Sequence, residues 1–182
     1  MNAPQAVGVD WPLEVHGALR GAGISIVSYV PDAGHKRLIE LCHADPAMRC
    51  VPLTTEEEGL GLATGAWLGG ERSVLLMQSS GVGNVINVLG TIKECRIPLP
   101  MIITMRGEYG EFNPWQIPMG QATPAVLEAM DVIVQPALEA KAVAPAVDAA
   151  LRLAFNGYAA VAVLISQRVI GTFAHVWDLL PA

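Results

Sequence analysis

The stretch Thr54–Gly70, TTEEEGLGLATGAWLGG, constrains this chain more than any other. Two threonines able to cap a helix precede Glu56, Glu57 and Glu58, and acidic residues suit the positive end of a helix. A helix is therefore predicted from Glu56 onward. The glycines resist it: each interior glycine costs a helix about 1 kcal/mol relative to alanine, and Gly59, Gly61 and Gly65 all lie inside. Such residues persist where a ligand or another backbone must come close; tight packing within one domain is the other reading. For the glutamates, a solvated first turn accounts for Glu57 and Glu58, and one of the three can turn toward neighbouring strand ends and become buried under a second subunit. The spacing Gly59-x-Gly61-x-x-x-Gly65 loosely resembles a dinucleotide fingerprint, but three carboxylates lie where a pyrophosphate would sit.

Around this helix, short apolar runs alternate with helical patterns. Strands are predicted at 24–30, 50–53, 73–78, 99–105, 132–135 and 159–165, and helices at 11–22, 35–43, 85–95, 124–130 and 143–155. Continuous apolar strands between helices mean an α/β fold, an open doubly wound, mainly parallel sheet with helices on both faces. The expected organisation is an arm over 1–11, one domain over 12–166 and a tail over 167–182, where Phe173, Trp177, Leu179 and Leu180 dock on the body or on a partner. Ligands bind such sheets beyond the carboxyl ends of the strands. That selects PDAGH (31–35), QSSGVGN (78–84), the irregular stretch 106–124 and the Thr54–Glu58 turn.

Composition narrows the classes. Hydrophobic residues make up 52% of the chain and charged residues 15%, so part of the surface is expected to be covered by other subunits. A net charge of −6 without a basic block argues against nucleic acid. No apolar run reaches the roughly 18 residues of a membrane span. The first residues carry no lysine or arginine and no long apolar core, unlike a signal peptide. Cys42, Cys50 and Cys95 lack CxxC spacing and read as reduced, mostly buried thiols of a cytoplasmic protein. The four histidines form no metal-binding pattern, and no GxSxG is present. The 78–84 loop lacks a P-loop signature, although its backbone amides offer a phosphate cradle.

Taken together, the motifs resemble the pyrimidine-binding domain of thiamine-diphosphate enzymes. In that family a glutamate opens a small-residue helix, and counting back from Gly65 places it at Glu56. Ser80-Gly81-Val82-Gly83-Asn84 is similar to the family's S-G-x-G-x-x-N loop. VPD (30–32), LLMQSSGVGN (75–84) and MRGEYGEFNPWQIPMG (105–120) resemble sulfopyruvate decarboxylase alpha subunits and phosphonopyruvate decarboxylases, over about residues 12–166. The resemblance implies a lyase that removes CO2 from a small 2-oxo acid. It also implies that Glu56 hydrogen-bonds N1′ of the cofactor's aminopyrimidine, with Ser80, Gly81, Val82, Gly83 and Asn84 around the same end. The family's diphosphate and Mg2+ are held through a G-D-G…N motif. No Gly-Asp-Gly occurs in this chain, so a beta-type partner subunit is expected to hold Mg2+ and to complete the site as a hetero-oligomer.

The substrate end is more open. Arg106 either binds a sulfonate or phosphonate or pairs with Glu108 or Glu111. Asn113 and Gln116 orient an acidic group or merely fix their loop. Asp32 contacts substrate or cofactor, or stabilises its turn. His35 reads as part of a solvated helix start, and Trp67 and Trp115 as packing residues, with Trp115 alternatively walling a pocket for an aryl 2-oxo acid. The rivals are the same fold acting on 3-phosphonopyruvate or an aryl 2-oxo acid, and a non-catalytic binding or scaffold protein.

Overall fold

The computed structural model describes residues 8–171; Phe173, Trp177, Leu179 and Leu180 lie outside the described residues. Strands β1 (Ile24–Tyr29), β2 (Arg49–Pro52), β3 (Arg72–Gln78), β4 (Leu99–Thr104), β5 (Ile133–Ala137) and β6 (Ala160–Ile165) form one parallel sheet in the order β2-β1-β3-β4-β6-β5. Helices α1 (Trp11–Gly21), α2 (Lys36–Ala44) and α6 (Ala140–Gly157) cover one face, and α3 (Glu56–Leu68), α4 (Val82–Glu94) and α5 (Ile117–Ala129) the other. A short α7 (Gln167–Ile170) follows β6. This is the doubly wound α/β sheet that the alternation of runs predicts.

The inner strands β1, β3, β4 and β6 read as largely apolar runs because successive side chains point to opposite faces and both faces are covered. In β3, Val74 and Leu76 enter the core under α1 and α6, whereas Leu75 and Met77 enter the core under α3 and α4. The chain passes from β1 out to the edge strand β2, then back across β1 to β3. The carboxyl ends of β1 and β3 therefore flank the point where strand order reverses, the crevice at which open α/β sheets bind ligands.

Several expectations need correction. The 78–84 segment is not an open loop: Ser79–Gly81 form a 3-10 turn that runs directly into α4 at Val82. Val82 is fully buried with Val85, Leu89 and Ile92, so the apolar stripe extends upstream and outweighs the local turn preference of Ser and Gly. Within 106–124, Pro114–Gln116 form a 3-10 turn and α5 starts at Ile117, not near Pro124. Pro118 suits a first helical turn. Pro124, which interrupts the ladder inside the helix, is carried by the burial of Gly120, Thr123 and Leu127. Of the three α3 glycines, only Gly59 answers to close packing within the chain: a Cβ there would lie 2.6 Å from Leu75 Cδ1, while Gly61 and Gly65 border open space.

Trp67 does pack, but on Phe155 and Tyr158, at the far end of α3 from Glu56. Trp115 is not a packing residue within the chain, at 74% exposed. Nor are the thiols mostly buried: Cys42 is, but Cys95 is exposed and Cys50 half-buried. Burial pushes the Cys42 thiol up to about 12.

Candidate active site

Glu56 opens α3 with its side chain turned inward, whereas Glu57 and Glu58 are exposed. The threonines do not cap the helix with their hydroxyls as expected: Thr55 occupies the N-cap without a side-chain cap bond. Instead the Glu58 carboxylate turns back and accepts from the Thr54 backbone N–H at 2.9 Å and hydroxyl at 2.8 Å. Those bonds draw the Glu58 pKa below its ordinary value. With Glu58 held outward by its own turn, Glu56 is 7% exposed, and its Oε2 accepts from Asn84 Nδ2 at 2.8 Å. Among the described residues, its Oε1 accepts no hydrogen bond.

Beneath the carboxylate lies Gly81. Its backbone (φ −77°, ψ −14°) is open to any residue, so conformational freedom is not why glycine is there. A Cβ would sit 2.2 Å from both Cδ and Oε1 of Glu56. The glycine is required by contact. This arrangement also answers the phosphate-cradle reading: a carboxylate already occupies the start of α4, and the Val82 N–H is bonded to Ser79 O. The positive end of that helix is used on Glu56.

The rest of the segment divides by orientation. Ser80 donates to Gln78 Oε1 at 2.6 Å. Val82 sends its side chain into the core, so only its backbone can meet a ligand. Gly83 and Asn84 are on the exposed side of α4, with Met119 Sδ 3.5 Å from where a Gly83 Cβ would be.

A second cluster ties the strand ends at the switch point. Asp32 Oδ2 accepts from the Gly34 N–H at 3.1 Å and from Thr104 Oγ1 at 2.7 Å, and Oδ1 accepts from Gln78 Nε2 at 2.9 Å. One carboxylate thus joins the carboxyl ends of β1, β3 and β4, and the turn-stabilising role of Asp32 is realised. A cavity of about 440 Å³ opens beside it, lined by Tyr29, Pro31, Ala33, Lys36 and Ile39 among others. His35 is not part of a solvated helix start. The 3-10 turn Ala33–His35 swings it under the sheet, where it is fully buried with Nε2 3.2 Å from Met77 O and 3.1 Å from Ile102 O. An Nε2–H donates to both carbonyls, and Nδ1 is buried without a partner among the described residues. Burial drives the His35 pKa down, against the opposing charge of Asp32.

The third group is the loop after β4. Arg106 is buried, and Glu111 takes its Nε at 2.6 Å and Nη2 at 2.8 Å. Burial raises the Glu111 pKa, but the Arg106 hydrogen bonds, the Asn113 amide and the Arg106 charge outweigh it and hold the group at about 2. The ion pair with Glu111, one of the roles considered for Arg106, is present. Asn113 is half-buried, and its N–H donates to Glu111. Gln116 has a buried Oε1 with no partner among the described residues. The Arg106 N–H donates to Ser79 Oγ at 3.0 Å, linking this loop to the turn under Glu56.

Thr104 and Gln167 were not singled out from the sequence, and Gln78 and Ser79 only as members of the 78–84 segment. All sit at or just past strand carboxyl ends, and that position was the available signal.

The chain is 41% identical over 125 residues to the sulfopyruvate decarboxylase subunit alpha of Methanothermobacter thermautotrophicus, covering 68% of this chain and 76% of that one. It is 38% identical over 116 residues to the phosphonopyruvate decarboxylase of Streptomyces viridochromogenes, covering 63% of this chain and 29% of that protein. Among solved structures, the 2-oxoglutarate:ferredoxin oxidoreductase from Magnetococcus marinus shares the fold, with a TM-score of 0.67 at 15% identity over 88% of this chain and 29% of that chain. No protein-family model matches the chain.

Proposed function

The chain belongs to the family of sulfopyruvate decarboxylase alpha subunits, and from that premise we propose that it is the pyrimidine-binding half of a thiamine-diphosphate-dependent 2-oxo acid decarboxylase converting sulfopyruvate to sulfoacetaldehyde and CO2. The observation that carries the reading is the buried Glu56 carboxylate lying on Gly81. Its fit to an aminopyrimidine rests on two features. Oε1 accepts nothing among the described residues and is available to a ring nitrogen, and the absent Cβ of Gly81 leaves room for the carboxylate itself.

When bound, the cofactor supplies an electron sink for the pair left by departing CO2. Glu56 holds the proton shared with N1′ of the pyrimidine. Asn84, through its bond to Oε2, fixes the carboxylate's rotation so that Oε1 is the oxygen presented. Ser80, Gly83 and the backbone of Val82 border the same end. Asp32 keeps the three strand ends in register, and Asn113 and Gln116 are the chain's groups for the acidic end of the substrate. Arg106 acts through Glu111 on the loop. A beta-type partner carrying G-D-G…N holds the diphosphate and Mg2+ and closes over Glu56; the "subunit alpha" name of the relative supports such a partner. We place the enzyme in the cytoplasm; no described helix is long and apolar enough to cross a membrane.

The test is CO2 release from sulfopyruvate, 3-phosphonopyruvate and an aryl 2-oxo acid, with thiamine diphosphate and Mg2+, for the chain alone and with a G-D-G-bearing subunit. Turnover is expected only in the mixture and fastest with sulfopyruvate. Glu56→Gln should lower kcat by about 10²–10⁴, the range for a positioned proton-transfer group, without changing the circular dichroism. Unchanged turnover in that variant would end the assignment.

A further inference from the structure

Gln167 is 1% exposed, at the start of a four-residue helix outside the sheet. A buried glutamine must find partners for both ends of its amide, and this one finds all of them in a loop some 58 positions away in sequence. Its Oε1 accepts from the backbone N–H groups of Glu108 and Tyr109, both at 3.0 Å, and its Nε2 donates to Glu111 Oε2 at 3.0 Å. Glu108 reciprocates: its Oε2 accepts from the Gln167 N–H and the Ser166 hydroxyl, both at 2.9 Å. The Arg168 guanidinium lies 4.2 Å from the Tyr109 ring centroid. The pairing of β4 with β6 explains the meeting, since it sets the segments after these two strands side by side.

Gln167 adds to the other contacts of this loop, the Glu108 bonds to Ser166 and the Arg106–Glu111 pair. Gly107 (φ +75°) and Gly110 (φ +60°) make its backbone intrinsically permissive. Its inward polar groups converge on Glu111, which already serves Arg106 and the Asn113 amide. Gln167 supplies the third direction of support, from outside the loop.

We propose that Gln167 is a positioning residue: it clamps residues 107–113 so that Asn113 and Gln116 are held in place for the 2-oxo acid before it arrives. The inference rests on the decarboxylase reading above, and its test separates the two. Gln167→Ala removes the three side-chain bonds of the clamp and leaves the Glu108 bonds to the residue 167 N–H and Ser166. Gln167→Glu keeps an acceptor for the two amides but places a carboxylate against Glu111, and serves if the alanine variant folds poorly. Each is prepared in complex with the partner subunit. Amide hydrogen exchange of residues 107–113 should speed up at least tenfold, with the strands unchanged. KM for the 2-oxo acid should rise at least tenfold, while kcat stays within threefold and the affinity for thiamine diphosphate is unaltered.

Unchanged exchange would overturn the clamp. Faster exchange with an unchanged KM would overturn the positioning role and leave only a structural one. A wild-type complex that turns over no 2-oxo acid would overturn the decarboxylase reading and the positioning role with it, while the exchange measurement would still decide whether the clamp exists.

Discussion

Gly81→Ala puts the central contact of the site under direct strain. The new Cβ would be 2.2 Å from Glu56 Cδ, and ordinary contact begins at 3.4 Å, so the carboxyl must retreat by about 1.2 Å or α4 must shift by as much. Either movement stretches the 2.8 Å bond from Asn84 and displaces Oε1. Misplacing a catalytic group by about 1 Å can cost on the order of 10²-fold in rate. Overpacking a well-filled site costs about 1–3 kcal/mol, which for a domain of this size lowers Tm by roughly 2–4 °C per kcal/mol. The alanine itself favours the backbone it meets, because Gly81 already has helical angles. The expected result is therefore a kcat reduced about a hundredfold with a modest fall in Tm. It is read from CO2 release by the complex and from calorimetry. Gly17→Ala is the control: it lies in mid-α1 with nothing within 4 Å of its Cβ position, and should raise stability by about 0.4–1 kcal/mol with unchanged turnover. A Gly81→Ala enzyme within twofold of wild type would mean that the position of Glu56 does not govern the reaction.

Removing Arg106 should act on stability. Breaking a buried ion pair from one side costs about 3–5 kcal/mol, so Arg106→Ala should lower Tm by roughly 6–20 °C at this chain length; a raised KM with an unchanged Tm would instead identify Arg106 as a direct substrate ligand. Acid should destabilise the chain in two separate windows. His35 has a folded pKa below its unfolded value of 6.5, so the unfolded state binds more protons just below that pH, and stability is full above 6.5 and falls as pH drops toward the folded pKa. One such group contributes a slope of at most about 1.4 kcal/mol per pH unit. Urea unfolding between pH 7.5 and 5 should show it in wild type and lose it in His35→Leu; an equal slope in both would refute the burial argument. Glu111 acts lower, its contribution being lost only as pH falls from 4.5 toward 2.

The strands, the helix at Glu56 and the choice of loops were legible locally, because apolar periodicity and strand-end position are properties of neighbouring residues. Glu56 could be picked from three adjacent glutamates only through a resemblance in spacing. Nothing in EEE itself says which one turns inward; the answer came from Glu58 binding back to Thr54 and from Gly81 making room. His35 was misread for a related reason. Its polarity and its place after a Pro-Asp turn suggest solvent, and only the packing of that turn against β3 and β4 gives its ring two carbonyls to bond. The early start of α5 and the helical form of Ser79–Gly81 were hidden because burial of Val82, Gly120 and Thr123 overrides local turn preferences.

The sequence by itself determined the layering: which runs become strands, that helices cover both faces of the sheet, and that the acidic helix start lies near strand carboxyl ends. Tertiary structure alone decided pairings such as Asp32 with Thr104 and Gln167 with Glu108, 72 and 59 positions apart, and selected Glu111 over Glu108 as the partner of Arg106. The physical reason is that periodicity records how one residue relates to its neighbours along the chain. A buried polar group is satisfied by whatever the sheet order brings beside it.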